Sequence, residues 1–175
     1  MRKSVISIVL MAAMSLTAGA AELNEDWEVS VRTFDLDSQD PGPGYEAIIR
    51  IDGKAVQVVE GRTLGYPQDM LEKFGNVLLA DVDFDGHTDV LVCLGEEPVS
   101  DQTFLRYDAW LYNADDGKFY CPHTFREIDN PEVDEKEHRI LGHYIARDGK
   151  TKVYSAYYWQ LDGNIQQVGD SWTDE

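Results

Sequence analysis

The chain has 175 residues, room for one domain, and its 43% hydrophobic and 11% aromatic content supplies a core for it. Fifteen Lys and Arg against 33 Asp and Glu give a net charge of -18. A phosphate backbone and an anionic membrane surface both require a basic face, so the charge argues against nucleic acid and membrane partners and admits metal cations or a basic protein. Solubility alone is the plainer use of such acidity.

Arg2 and Lys3 precede an apolar stretch from Val5 to Leu16, followed by Thr17-Ala18-Gly19-Ala20. A basic start, a short apolar run and a small-x-small end are the parts of a secretory signal peptide, which places residues 1–20 as a leader and 21–175 as a single β-rich domain. The run is shorter than the roughly 20 apolar residues of a membrane span. Cleavage removes two of the 15 basic residues and no acidic ones, leaving 13 minus 33, or -20. The expected location is exported, either periplasmic or secreted.

Downstream, Trp27-Glu28-Val29-Ser30-Val31-Arg32 alternates apolar and polar with the period of a half-buried strand. Further strands are expected over 45–51, 54–59, 77–80, 90–94, 109–112, 119–121, 140–146, 152–160 and 164–168. Asp52-Gly53, Asp116-Gly117, Asp148-Gly149 and Asp162-Gly163 stand between them. Asp-Gly is a strong hairpin signal because Gly takes positive φ freely and Asp tolerates it. The fold expected is therefore all-β, mainly an antiparallel meander. Asp-Gly pairs at 52, 85, 116 and 148 recur every 31 to 33 residues. The flanking residues do not match from one interval to the next, so chance recurrence of a common turn is the plainer reading, while the spacing also fits a small propeller-like arrangement of blades. Residues 68–74, opened by Pro67 and stopped by Gly75, read as one short helix. Residues 38–44 read as a loop, and the acidic stretch 130–139 as a helical turn or a solvated loop.

One loop carries chemistry. Asp81-Val82-Asp83-Phe84-Asp85-Gly86-His87-Thr88-Asp89 puts carboxylates at positions 1, 3, 5 and 9, with Gly at 6 for a sharp turn. A hard cation such as Ca²⁺ takes six to eight oxygens, which alternate positions of a tight loop bring together. Asp81, Asp83, Asp85 and Asp89 are the expected carboxylate ligands, and His87 contributes through its carbonyl. Two carboxylates about 4 Å apart repel by roughly 4 kcal/mol at an effective dielectric of 20, so four in one turn need a reason, either a bound cation or the plainer one of a solvated acidic hairpin. An EF-hand is excluded because its twelfth position is Val92, where a bidentate Glu is needed, and because the flanks read as strands.

Strand, Asp-rich loop, strand resembles the FG-GAP or VCBS calcium repeat. Together with Asp108-Ala109-Trp110-Leu111-Tyr112-Asn113, Phe119, the run Ile128 to Asp134 and Leu161-Asp162-Gly163-Asn164, the segment 76–168 is similar to an exported bacterial family with a single such motif. That family includes a periplasmic immunity protein and lysozyme inhibitor associated with type IV secretion. The resemblance implies a small propeller-like domain, one structural Ca²⁺ at Asp81, Asp83, Asp85, His87 and Asp89, no enzymatic activity, and a partner in the cell envelope such as a cationic peptidoglycan-cleaving enzyme. Tyr66, Tyr107, Tyr144 and Trp172 are candidate anchors for such a partner. The alternatives are a structural envelope protein and a hydrolase of unfamiliar site.

Other signals are weaker. Cys93 and Cys121 enter an oxidising compartment on export and either form a bridge or remain buried thiols. A bridge would close a loop of about 29 residues, worth roughly 3.5 kcal/mol. His138 and His143, five apart, lack the spacing of a zinc motif. Tyr154, Tyr157, Tyr158 and Trp159 form a ladder that packs on two strand faces or stacks on sugars.

Overall fold

The computed structural model describes residues 26–34, 43–64 and 73–173. The expected leader 1–20, Tyr66, most of the expected helix 68–74 and most of the expected loop 38–44 lie outside those residues. Twelve strands run β1 (Trp27–Phe34), β2 (Gly44–Ile51), β3 (Lys54–Arg62), β4 (Val77–Ala80), β5 (Asp89–Val99), β6 (Gln102–Asn113), β7 (Lys118–Tyr120), β8 (Glu132–Asp134), β9 (Arg139–Ile145), β10 (Lys152–Trp159), β11 (Ile165–Gln167) and β12 (Trp172–Thr173). A 3₁₀ helix, His123–Glu127, separates β7 from β8. Among the described residues every pairing is antiparallel.

The strands make three sheets in chain order: β1-β2-β3, β4-β5-β6-β7, and β11-β10-β9-β8 with β12 beside β10. The all-β meander is as the sequence predicts, and among the described residues the sheets close into neither a barrel nor a propeller. The Asp-Gly pairs explain the chain reversals. Asp52 and Gly53 have φ of 51° and 73° between β2 and β3, the doubly positive signature of a tight hairpin turn. Gly117, Gly149 and Gly163 likewise take positive φ between paired strands.

The second sheet is covered on both faces. Val90, Val92, Leu94, Trp110 and Phe119 meet Val29, Val31, Tyr45, Ala47, Ile49 and Val59 of the first sheet. On the opposite face Leu91 and Ala109 meet Phe125, Ile128, Ile140 and Ile165. This two-sided burial is why Val90-Leu91-Val92-Cys93-Leu94 is continuously apolar instead of alternating.

Two sequence expectations change here. β5 and β6 extend well beyond 90–94 and 109–112, reaching a tight turn at Ser100 with φ of 60°. Glu96, Glu97 and Pro98 conceal that extension because they are exposed or half-exposed ladder positions. The stretch 130–139 is neither a helical turn nor a plain loop. It contains β8, whose pairing with β9 is not signalled by its acidic composition.

Cys93 and Cys121 are free thiols. Cys93 stands opposite Tyr107, which packs into the core beneath the third sheet, whereas Cys121 packs into the core beneath the first. The second sheet therefore lies between them. The ladder 154–159 is divided in the same way: Tyr157 and Trp159 join the inner core, while Tyr154 stacks outside on Trp172 at 6.0 Å.

Candidate metal site in the loop between β4 and β5

The loop 81–88 joins two paired strands whose last register is Ala80 with Asp89. Ala80 and Asp89 therefore fix the loop's two ends side by side. Asp89 is fully buried. Its Oδ2 accepts the Val82 N–H at 2.9 Å and its Oδ1 accepts the Tyr112 N–H of β6 at 2.8 Å. Within the turn, Asp81 Oδ1 accepts from Asp85 N–H at 3.1 Å and Asp81 Oδ2 from Gly86 N–H at 2.9 Å. Asp83 Oδ1 accepts from Asp85 N–H at 3.3 Å, and Asp85 Oδ1 from His87 N–H at 2.8 Å. Phe84 and Gly86 take φ of 64° and 90° to make the reversal.

The result is convergence of Asp81, Asp83 and Asp89, whose carboxylates each offer an oxygen within 4.8 Å of the others. This group can hold a metal ion. Asp85, expected as a carboxylate ligand, is not in that group, and its carboxylate accepts the His87 N–H. His87 is expected through its carbonyl, which this grouping of side chains does not address, and its ring lies edge-on to Tyr112 at 5.7 Å. The donor set is all carboxylate, which suits a hard cation and not a thiophilic one.

Electrostatics point the same way. Burial, reinforced by neighbouring Asp85, pushes the Asp83 carboxyl up to about 6. Burial pushes Asp89 up to about 7 against the opposing pull of the Tyr112 and Val82 N–H groups. Carboxylates whose negative charge is disfavoured in this way are relieved either by protons or by a cation.

Contacts from the third sheet also reach the loop. Trp159 Nε1–H donates to the Val82 carbonyl at 2.6 Å, and the Phe84 ring stacks on His138 at 5.3 Å with planes 13° apart. No local sequence signal identifies these residues, since Trp159 lies 77 positions from Val82. Beside the loop, Asp83, Asp85, His87, Tyr112, Asp115 and Tyr120 border an open groove of about 490 Å³.

Among the described residues, the remaining sequence candidates do not assemble. His138 stacks on Phe84, whereas His143 places Nδ1 3.3 Å from Glu132 Oε1. Tyr107 is half-buried, and burial beside Cys93 pushes its phenol up to about 12. Tyr144 and Trp172 are 38% and 37% exposed, though Trp172 is already engaged by Tyr154 and by Arg139, 5.6 Å above its ring. No family model, curated protein or solved structure matches this chain. Among the described residues no helix is long and apolar enough to cross a membrane.

Proposed function

We propose that the chain is an exported, non-enzymatic binding protein of the cell envelope whose 81–89 loop is organised by a structural Ca²⁺ ion. The observation that carries the reading is the meeting of Asp81, Asp83 and Asp89 within 4.8 Å. Ca²⁺ suits a loop of this kind better than Mg²⁺, because it accepts irregular oxygen sets while Mg²⁺ demands near-octahedral geometry and retains water. Bound there, the ion would supply positive charge to the loop's carboxylates and hold the turn closed. The resemblance of the segment 76–168 to FG-GAP-like exported proteins supports the same assignment.

The partner that charge favours is cationic, and a peptidoglycan-cleaving enzyme of basic surface is the reading that joins charge to resemblance. Opposite net charges can raise association rates 10- to 10³-fold. The net charge of -18 and the acidic groove beside the loop support it.

The metal assignment is tested by thermal melting of the mature protein in EDTA and in millimolar CaCl₂, since extracellular sites bind at about 10⁻⁴ to 10⁻³ M. Identical melting in both, with the protein shown to be metal-free in EDTA, defeats it. The partner assignment is tested by retention of envelope proteins on the immobilised mature chain and by inhibition of a panel of muralytic enzymes at physiological salt. No retention and no inhibition would leave a structural envelope role, and turnover of a glycan or muropeptide by the protein alone would indicate a hydrolase.

A further inference from the structure

We infer that the third sheet sets the metal affinity of the loop: Trp159 and His138 are positioning residues that hold the backbone at Val82 and Phe84 in the conformation that brings Asp81, Asp83 and Asp89 together. This rests on the metal reading above and extends it to residues that donate no ligand.

The geometry is specific. Val82 and Phe84 stand between Asp81, Asp83 and Asp85 along the loop, and both are held from the third-sheet side. Val82 is fully buried in the core beneath the third sheet, and Phe84 packs against that core. The peptide at Val82 is pinned at both polar ends, its N–H by Asp89 Oδ2 at 2.9 Å and its carbonyl by Trp159 Nε1 at 2.6 Å. Trp159 is itself fixed by stacking on Phe125 at 6.2 Å. Phe84 takes φ of 64°, a conformation that costs a non-glycine residue free energy and needs support from its surroundings. The ring of His138, on the turn between β8 and β9, supplies that support by stacking.

Without these two holds, the loop must order itself as the ion binds, and the ordering lowers the affinity. Coupling is reciprocal: if the docked third sheet strengthens metal binding, metal must by the same factor strengthen docking of the third sheet.

The test uses the mature protein and Ca²⁺ itself. Isothermal titration with CaCl₂ is compared for wild type, Trp159→Phe, His138→Ala and His138→Phe, with hydrogen exchange recorded with and without the ion. Trp159→Phe keeps an aromatic ring to face Phe125 but loses the N–H together with part of the indole's packed volume, so its effect is read beside that of the His138 pair, which leaves Trp159 intact. The two His138 variants share the same positive-φ backbone demand and differ in the ring. Expected results are affinity weakened about five-fold or more in Trp159→Phe and in His138→Ala, recovery in His138→Phe, and Ca²⁺-induced protection of β9 and β10 amides as well as those of β4 and β5. Wild-type affinity in Trp159→Phe and His138→Ala, or protection confined to β4 and β5, overturns the inference while leaving the metal site standing. A wild-type protein that takes up no Ca²⁺ overturns both.

Discussion

Tyr45 on β2 donates its hydroxyl proton to Asp108 Oδ2 on β6 at 2.6 Å. The same hydroxyl accepts the Trp110 indole N–H at 2.9 Å, and Asp108 receives Arg126 from the 3₁₀ helix at 2.6 and 2.8 Å. One buried chain of polar groups thereby ties the first sheet to the second and the second to the helix that covers its other face. Burial beside Asp108 pushes the Tyr45 phenol far above its usual range, so it remains a donor at all ordinary pH. Tyr45→Phe removes one donor and orphans the Trp110 N–H, and is expected to cost about 1–3 kcal/mol. Asp108→Ala leaves Arg126 facing a void and should cost more, roughly 3–5 kcal/mol. Urea unfolding at pH 7 measures both, and an inverted order would refute this account of the network.

Gly61 on β3 depends on the same tyrosine. A Cβ at Gly61 would overlap the Tyr45 ring at Cε1, Cζ and the hydroxyl. Gly61→Ala must displace the ring from Asp108, and is expected to destabilise by about 1–3 kcal/mol. Combined with Tyr45→Phe the costs should not add, because the two substitutions act on one contact.

The loop carboxylates are expected to be unequal. Asp81→Ala and Asp83→Ala each remove a member of the converging group and should abolish most of the rise in melting temperature produced by millimolar CaCl₂. Asp85→Ala removes a carboxylate engaged by the His87 amide, so it should lower metal-free stability and retain a larger share of the Ca²⁺ response. Melting of the three variants with and without CaCl₂ measures the difference.

Asp83 and Asp89 have folded-state carboxyls raised to about 6 and about 7, above the unfolded value near 3.9. Between those limits the unfolded chain sheds protons that the folded chain keeps, so the folded state loses stability as pH rises through 6 and 7. In EDTA the melting temperature should therefore rise on acidification from pH 8 to pH 5. Ca²⁺ competes with the same protons and should bind more weakly over that range. Asp83→Asn is expected to flatten the metal-free slope. A melting temperature in EDTA that falls steadily from pH 8 to pH 5 would contradict the assignment.

Because the second sheet separates Cys93 from Cys121, titration of the denatured, unreduced protein should return two thiols per chain. In the native state both should react slowly. Burial raises the thiol of each, Cys121 to about 12, and the thiolate is the reactive form.

Local chemistry was legible in the sequence. Asp-Gly pairs mark reversals because few other residues accept positive φ, and alternation marks strands because side chains of a strand point to opposite faces in turn. The spacing of aspartates over nine residues likewise marks a candidate cation loop, since that is a property of one short segment, and Asp81, Asp83 and Asp89 of it converge closely enough to hold an ion. What the sequence leaves open is which face meets which neighbour. The loop's four aspartates look equivalent until the Ala80–Asp89 register buries Asp89 beside Tyr112 and the turn directs Asp85 to the His87 amide. The fate of the cysteines depends on which side of β5 and β6 each occupies, and the covering of that sheet on both sides depends on contacts more than sixty positions apart, such as Tyr45 with Asp108 and Trp159 with Val82. Turns and strand periods follow from steric limits within a few residues, whereas ligand convergence and burial arise only when separate sheets pack, and that packing is a property of the tertiary structure alone.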